Sequence, residues 1–279
     1  MSAALKIGIL ISAIGLALTG VSAYYAKDEI KNFDKYTSGK IELTDVKKLS
    51  LDSDASVVTF HKTDSEKSYI NYNLLEFYDI KTDENNNVEI SRKKKYMILA
   101  FSFMWNNKST VDVYLNSDDY KTTLELDAGK IIMDDNMTFE SFSLEMSAGS
   151  FDAKNITVTG ENETNIKLSA GDVDIEKLDC QKASIRLSAG DLDIKELNTD
   201  TANIKLSAGD VDIDKLDTNN LTFKLSAGSM KCNLVGSEDD YSFAIDKSAG
   251  SCNVKSKIGG SKKVEGKLSA GSVRFNFGA

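Results

Sequence analysis

The sequence predicts an all-β fold: a single-stack β-solenoid of the parallel β-helix type, with about 19–22 residues per rung, preceded by an N-terminal transmembrane helix. Two observations lead to this prediction. A short phrase ending in Ala-Gly returns at steps of 19 to 22 residues, and twenty residues without a charge stand near the start of the chain. A fixed period near twenty residues indicates stacked repeats, because one unit of that size cannot bury its own apolar face.

The repeat is clearest in its middle copies, which read LSAGDVDI from Leu168, LSAGDLDI from Leu187 and LSAGDVDI from Leu206. The glycines that mark the series are Gly129, Gly149, Gly171, Gly190, Gly209, Gly228, Gly250 and Gly271. On both sides of each glycine, apolar residues occupy alternate positions, which is the period of β-strands. Helical repeats need longer units, so we expect two short strands and two corners per rung.

One unit shows how a rung is expected to fold. Its apolar residues are Ile166, Leu168, Ala170, Val173, Ile175 and Leu178. The alternation slips by one at Ala170 and Gly171, so the chain must bend there if both halves are to face inward. We expect the small Ala on the inside of this corner and the Gly in backbone angles that other residues disfavour.

Stacking of such rungs in parallel register predicts columns of like side chains about 4.8 Å apart. A basic column is expected at Lys167, Arg186, Lys205 and Lys224. Acidic columns are expected at Asp172, Asp174, Asp191, Asp193, Asp210 and Asp212. Like charges at this spacing repel, so either solvent and salt screen them or a ligand of opposite charge bridges them. The basic column is therefore the candidate ligand site.

No catalytic apparatus is evident. His61 is the sole histidine, which excludes clusters of His ligands and disfavours a Ser-His-Asp triad. Repeated, exposed aspartates do not offer the contrasting environments that a general acid and base need. The six aspartates are a weak candidate for calcium, which takes about 6–8 oxygen ligands, but the Gly-Gly-x-Gly-x-Asp nonapeptide of calcium-binding β-rolls is absent. No other cofactor is expected.

Three cysteines are expected to remain free thiols. Cys232 and Cys252 replace inward aliphatic residues and are placed by the pattern in adjacent rungs, too far apart for a disulfide. Cys180 is expected to be a free residue at a corner.

The start of the chain predicts export. Residues 7–26 carry no charge and are long enough to cross a hydrocarbon core of about 30 Å as a helix. We expect a cytoplasmic N-terminus at 1–6, a single transmembrane signal anchor at 7–26, a spacer at 27–39 and an extracytoplasmic remainder. A cleaved signal peptide is the alternative, since Val21-Ser22-Ala23 is a tolerable cleavage site. The 279-residue chain has a net charge of −9, which makes it a poor nucleic-acid binder.

The repeat is hard to recognise in residues 40–126, which we expect to form an irregular, capping β region before the regular rungs of 127–279. The terminal Phe275 and Phe277 are expected to close the C-terminal end. Within the first region, Arg92, Lys93, Lys94 and Lys95 precede an apolar run that ends at Trp105. A solvated basic loop beside a buried strand pair is one interpretation, and a surface that touches lipid headgroups is the other.

The Ser-Ala-Gly-Asp-(Val/Leu)-Asp-Ile phrase, the N-terminal apolar segment and the Val-Asp-Val-Tyr-Leu segment from Val111 resemble the bacterial putative adhesin family of β-strand-repeat domains, which includes membrane-anchored envelope-stress proteins. The likeness covers roughly Lys40 to the end, and Asn116 stands where that family often has proline. The resemblance implies a β-solenoid outside the membrane with no established enzymatic activity.

We therefore expect a non-enzymatic, membrane-anchored binding or scaffolding module at the bacterial cell envelope. Its expected partners are wall polymers, lipid headgroups or another envelope protein, and not nucleic acid. The alternative is a calcium-dependent polysaccharide-cleaving enzyme, because parallel β-helices also host lyases. Self-association through poorly capped rungs is a further possibility.

Overall fold

A computed structural model describes residues 35–43, 48–53, 56–75, 78–83, 87–92 and 109–278, and it confirms the β-solenoid. In these ranges the strands form a 13-stranded sheet, here sheet A, and an 11-stranded sheet, here sheet B. Both sheets bury their inward side chains in one hydrophobic core. No helix in the described part of the chain has the length and apolarity to cross a membrane. The predicted span at 7–26 lies outside the described residues.

The bounds of the strands follow the repeat. The N-terminal strands are β1 (Tyr36–Leu43), β2 (Lys48–Ser53), β3 (Ser56–Lys62), β4 (Ser68–Leu75), β5 (Tyr78–Thr82), β6 (Asn87–Arg92) and β7 (Thr110–Leu115). The regular strands are β8 (Lys121–Leu126), β9 (Gly129–Met133), β10 (Met137–Phe139), β11 (Ser141–Met146), β12 (Ser150–Val158), β13 (Glu163–Leu168), β14 (Asp172–Asp179), β15 (Lys182–Leu187), β16 (Asp191–Asn198), β17 (Thr201–Leu206), β18 (Asp210–Asp217), β19 (Asn220–Leu225) and β20 (Ser229–Leu234). The last strands, after a 3-10 turn at Glu238–Asp240, are β21 (Tyr241–Lys247), β22 (Ser251–Cys252), β23 (Lys262–Leu268) and β24 (Ser272–Phe277).

Equivalent residues of successive regular rungs lie side by side in parallel register. On sheet A, β14 pairs with β16 so that Ile175 is opposite Ile194. On sheet B, β13 pairs with β15 so that Ile166 is opposite Ile185. Each of these aliphatic side chains is at most 2% exposed. The predicted inward positions on both sides of the corner are therefore correct, apart from the alanine.

The corner between the two sheets differs from the prediction. The glycines have positive φ as expected, for example +95° at Gly190, but Ala170, Ala189, Ala208 and Ala227 are exposed. The strand of sheet B ends at the leucine three residues before the glycine, so the corner lies outside the core and the alanine faces solvent. The core is filled instead by positions seven before the glycine, which the prediction missed: Thr122, Phe142, Thr164, Ala183, Ala202, Leu221 and Val264.

The N-terminal end of the stack changes strand direction. β2 and β3 stack in parallel on β8 and β9, and β6 and β7 stack in parallel on β2 and β3. Beyond them β5 runs antiparallel to β6, β4 antiparallel to β7, and β1 antiparallel to β4. This reversal ends the parallel ladder that the repeats would otherwise continue.

At the C-terminal end the rungs do not stack in chain order. β23 lies between β19 and β21, and β24 lies between β20 and β22, so the last segment of the chain inserts before the preceding rung. The expectation that Phe275 and Phe277 close this end was wrong, because their strand β24 is followed in the stack by β22. The inserted rung carries no charged residue at an inward position: Val264, Leu268, Val273 and Phe275 are buried, and the ring of Phe223 fills the space at Gly266. The outer rung carries the exposed Lys247 at a position where other rungs have Leu or Met. A rung with a charged inward position is tolerated only where solvent reaches it.

The insertion also separates two of the cysteines. All three cysteines are free, as predicted. However, Cys232 is opposite Phe275 and Cys252 is opposite Val273, so β24 lies between the two thiols and they are not in adjacent rungs. Cys180 is free, as predicted, and is buried.

Candidate ligand-binding face

The outward face of sheet B carries one continuous column of charged side chains, here the sheet-B column. Every member is paired in register with the next. In spatial order it consists of Lys81, Glu89, Asp52, Glu125, Glu145, Lys167, Arg186, Lys205, Lys224, Lys267 and Asp246. The four residues of the predicted basic column are therefore neighbours. Lys267, which the prediction missed, extends the column, although its place four residues before Gly271 was visible in the repeat.

The cations of this column differ in what they contact. Lys167 forms an ion pair with Glu145 on the preceding rung. The guanidinium of Arg186 donates a hydrogen bond of 3.3 Å to Oδ1 of Asn165. Within the described ranges, Lys205, Lys224 and Lys267 form no ion pair, and each is exposed to solvent. Three successive lysines thus present uncompensated positive charge to solvent.

Small polar residues border the sheet-B column. On one side stand Thr123, Ser143, Asn165, Ser184, Asn203 and Thr222, and on the other stand Ser147, Ser169, Ser188, Ser207 and Ser226. Short side chains on both sides leave the charged groups standing above a flat surface. Such a surface allows an extended ligand or another flat face to approach the charges.

The predicted acidic columns lie on the outward face of sheet A. Asp172, Asp191 and Asp210 stack in one column, and Asp174, Asp193 and Asp212 stack in the next. The first column contributes to the rung corners: Oδ1 of Asp191 accepts the backbone N–H of Asp210 at 3.2 Å. These carboxylates therefore stabilise the turn of the following rung, which is a structural role the sequence analysis did not assign.

The second acidic column is flanked by cations at its ends. Lys130 pairs with Asp152 at one end, and Lys231 pairs with Asp212 at 2.9 Å at the other. Between them, partial burial, reinforced by the charges of Asp174 and Asp212, raises the pKa of Asp193 above its ordinary value. A groove of about 340 Å³ runs beside this column and is lined by Asp134, Asp152, Ala153, Lys154, Asp174, Ile175, Glu176, Asp193 and Lys195.

The described residues include no group of three or more His, Cys, Asp or Glu side chains placed to hold a metal ion. The sole histidine also lies on sheet A, in β3, where its ring stacks on Tyr114 at 4.7 Å. Its Nε2 is 3.5 Å from a carboxylate oxygen of Asp112. Of the predicted lipid-contact residues, Arg92 ends β6, and Lys93, Lys94, Lys95 and Trp105 lie outside the described residues.

The family model described as Toastrack DUF4097 matches residues 46–274, which include all of sheet B, every residue of the sheet-B column and most of sheet A. The chain belongs to the Toastrack DUF4097 family. This match confirms the family resemblance read from the repeats. The comparison with curated proteins gave no match.

Several solved structures are similar to the chain. A putative adhesin from Bacteroides fragilis NCTC 9343 is 10% identical, with a TM-score of 0.48, 87% of this chain covered and 97% of the other. A putative adhesin from Parabacteroides merdae ATCC 43184 is 13% identical, with a TM-score of 0.43 and coverages of 86% and 96%. A putative lipid binding protein from Parabacteroides distasonis ATCC 8503 is 14% identical, with a TM-score of 0.45 and coverages of 86% and 97%.

Proposed function

We propose that this protein is a non-enzymatic binding module that is tethered to the bacterial cell membrane, faces outward and holds an anionic partner along the basic half of its sheet-B column. The observation that carries the proposal is the run Lys205, Lys224 and Lys267, stacked in register without an ion pair among the described residues. Cations whose strands are about 4.8 Å apart repel one another by up to about 1 kcal/mol per pair, even in water. An anionic partner relieves that repulsion.

The partner class follows from the shape of the column. Positive charges that repeat at every rung match a polymer or surface whose negative charges also repeat, whereas a compact anion would use only one or two of them. Phosphate-bearing wall polymers and anionic lipid headgroups share this chemistry. The bordering serines and threonines, apart from the fully buried Ser184, add hydroxyl groups that donate hydrogen bonds to phosphate or sugar oxygens.

Binding is tested with the full-length chain carrying Lys205→Glu and Lys224→Glu together. The matched control, Lys154→Glu with Lys195→Glu, makes the same change in net charge on sheet A. Two probes distinguish the sources: a soluble poly(glycerol phosphate), and vesicles containing phosphatidylglycerol. We expect the sheet-B variant to lose at least tenfold in affinity for one of these probes and the control to retain it. Equal binding by both variants would contradict the proposal.

The cellular location has its own test. An anchor at 7–26 with the solenoid outside predicts that protease added to intact cells, after removal of the wall, digests the solenoid and leaves a short membrane-bound fragment. Protection of the solenoid until the membrane is permeabilised would contradict this orientation. An envelope-stress association predicts in addition that the amount of protein rises when the wall is damaged.

A further inference from the structure

The charges of the sheet-B column are arranged with opposite signs on either side of Lys167. One rung away stand Glu145 and Arg186, and two rungs away stand Glu125 and Lys205. The residues three, four and five rungs away on the two sides also carry opposite charges. These pairs are Asp52 and Lys224, Glu89 and Lys267, and Lys81 and Asp246. At each of the five distances from Lys167, the residues on the two sides therefore have opposite charges.

We propose that this face is a docking site for a second copy of the chain. The two sheets B pack face to face with their solenoid axes antiparallel, about a two-fold axis that runs along β13 through Lys167. This axis brings each residue opposite the one that stands equally far on the other side of Lys167. Glu125 then faces Lys205 of the second copy, and every such contact occurs twice, as in any isologous interface.

The charges favour this arrangement over the other two-fold arrangement of the same faces. An axis parallel to the solenoid would place each residue opposite its own copy, so that Lys205 would face Lys205 and Glu125 would face Glu125. On the proposed axis itself, Lys167 faces Lys167, but each of these lysines is already paired with the Glu145 of its own chain.

The bordering columns are compatible with close approach. Asn165 and Ser169 lie on the axis, and Ser207 faces Asp127 of the second copy. Ser184, at the position opposite Ser143, is fully buried in its own chain and does not obstruct the approach. In the next column outward, Lys182 faces Ser141 of the second copy. Glu163 faces Glu163 of the second copy, and Lys182 lies on the next rung of the same chain. In the two columns that border the sheet-B column directly, the side chains near the axis are short, so none of them holds the two sheets apart.

The area is sufficient for a specific dimer. Seven central rungs at about 4.8 Å, with strands of six residues at about 3.3 Å per residue, give a face of about 34 by 20 Å. Such a face buries about 670 Å² per copy, or about 1,300 Å² in total, which lies in the range of specific interfaces. A polyanion along the basic half does not contact the acidic half, whereas a second copy matches both.

The dimer and the anionic partner of the proposed function would compete for the same lysines, but the two proposals stand or fall separately. Self-association is measured without any ligand, and polymer binding is measured at protein concentrations below the dimer dissociation constant. If both hold, added poly(glycerol phosphate) dissociates the dimer.

The test uses the full-length chain in a mild non-ionic detergent, which accommodates the apolar residues 7–26, and measures association by sedimentation velocity. Glu125→Lys places lysine against Lys205 at both contacts, and Lys205→Glu places glutamate against Glu125 at both contacts. We expect each variant alone to dimerise at least tenfold more weakly than the wild type. An equimolar mixture of the two restores both opposite-charge contacts, so its affinity should return to within about threefold of the wild type.

Two controls define the register. Asp214→Lys, on sheet A, should leave dimerisation unchanged. A mixture of Glu125→Lys with Arg186→Glu, which do not face each other about Lys167, should not be restored. Circular dichroism verifies that each variant is folded. A monomeric wild type at 50 mM salt, single variants that dimerise normally, or folded variants whose equimolar mixture stays monomeric would each overturn the proposal.

Discussion

Asn253 completes the hydrogen bonding of Phe275 on the strand edge that β22 is too short to cover. Its side-chain Nδ2 donates to the carbonyl oxygen of Phe275 at 2.6 Å, and its Oδ1 accepts the backbone N–H of Phe275 at 2.8 Å. One side chain thus replaces the strand that would otherwise continue sheet A. An unpaired strand edge is a template for association with another chain, so this contact limits end-to-end growth of the solenoid.

Asn253→Ala should therefore destabilise the C-terminal end and promote association there. Loss of two hydrogen bonds to a partly buried edge is expected to cost about 1–3 kcal/mol. The matched control is Asn276→Ala, which removes a contact between two exposed side chains, with Asn233 at 2.7 Å. Chemical denaturation followed by circular dichroism measures both variants. Equal stability of the two would mean that Asn253 does not close the edge.

The stacked glycines predict a second effect. A methyl group at Gly190 would stand 2.1 Å from the carbonyl oxygen of Gly171, and the φ of Gly190 is +95°. Gly190→Ala should cost about 2–5 kcal/mol, which combines the left-handed backbone penalty with overpacking. Gly278 has a φ of +91° but no atom within 4 Å of the added carbon. Gly278→Ala should therefore cost only the backbone penalty of about 1–2 kcal/mol, and a similar loss in both variants would contradict the close stacking of the corners.

The acidic column of sheet A predicts a pH dependence. Burial and neighbouring carboxylates raise the pKa of Asp193 above its ordinary 3.8, so the folded protein binds the proton more tightly than the unfolded chain does. Stability from this group is therefore lost as the pH rises from below 3.8 through the raised pKa. Asp193→Asn should raise the melting temperature at pH 7 by only about 1 °C, since the carboxyl is only partly buried and solvent screens its charge. The gain should vanish at low pH.

A matched change in the same column should act in the opposite direction. Asp152 pairs with Lys130, so Asp152→Asn removes an attraction rather than a repulsion. Its melting temperature at pH 7 should be equal to or below that of the wild type. If both variants gain stability equally, the effect belongs to net charge and not to the position of Asp193.

Thiol labelling tests the order of the last rungs. Complete burial raises the pKa of the Cys232 thiol to about 12, while Cys252 is partly exposed on the outermost rung. An alkylating reagent at pH 8 should modify Cys252 in the native protein and Cys232 only after denaturant is added, as read by mass spectrometry of the peptides. If the rungs stacked in chain order, β24 would cover Cys252, so protection of Cys252 in the native protein would contradict the placement of β24.

Much of the fold could be predicted because its determinants are local and periodic. Ile166, Val173 and Ile175 alternate at strand spacing, and the glycine of each corner is fixed by its positive φ. The position of Ala170 was mispredicted because small size fits either the inside or the outside of a bend, and only the end of the preceding strand decides between them.

The stacking order of the last rungs could not be predicted from the period. The sequence of a repeat unit predicts which residues face inward but not which rung lies next to it. The inserted rung pairs Lys267 with Lys224, and these residues are 43 positions apart in the chain. Part of the acidic half of the sheet-B column was missed for a related reason. Asp52 and Glu89 belong to N-terminal rungs whose sequence lacks the Ser-Ala-Gly phrase, so their register became visible only in the folded chain. Glu125 and Glu145, by contrast, stand four residues before Gly129 and Gly149 and were visible in the repeat.

The account depends most on that stacking order, because Lys267 beside Lys224 extends the basic half, whereas Asp246 in that place would end it. Nitroxide spin labels measure the stacking order directly. The native cysteines are first replaced by alanine. One labelled protein then carries Lys224→Cys with Lys267→Cys, and the other carries Lys224→Cys with Asp246→Cys. Strands one rung apart are about 4.8 Å from each other and strands two rungs apart about 9.6 Å. Spin–spin broadening should therefore be strong for 224 with 267 and weaker for 224 with 246. The reverse order would show that the rungs stack in chain order and would contradict the charged face described above.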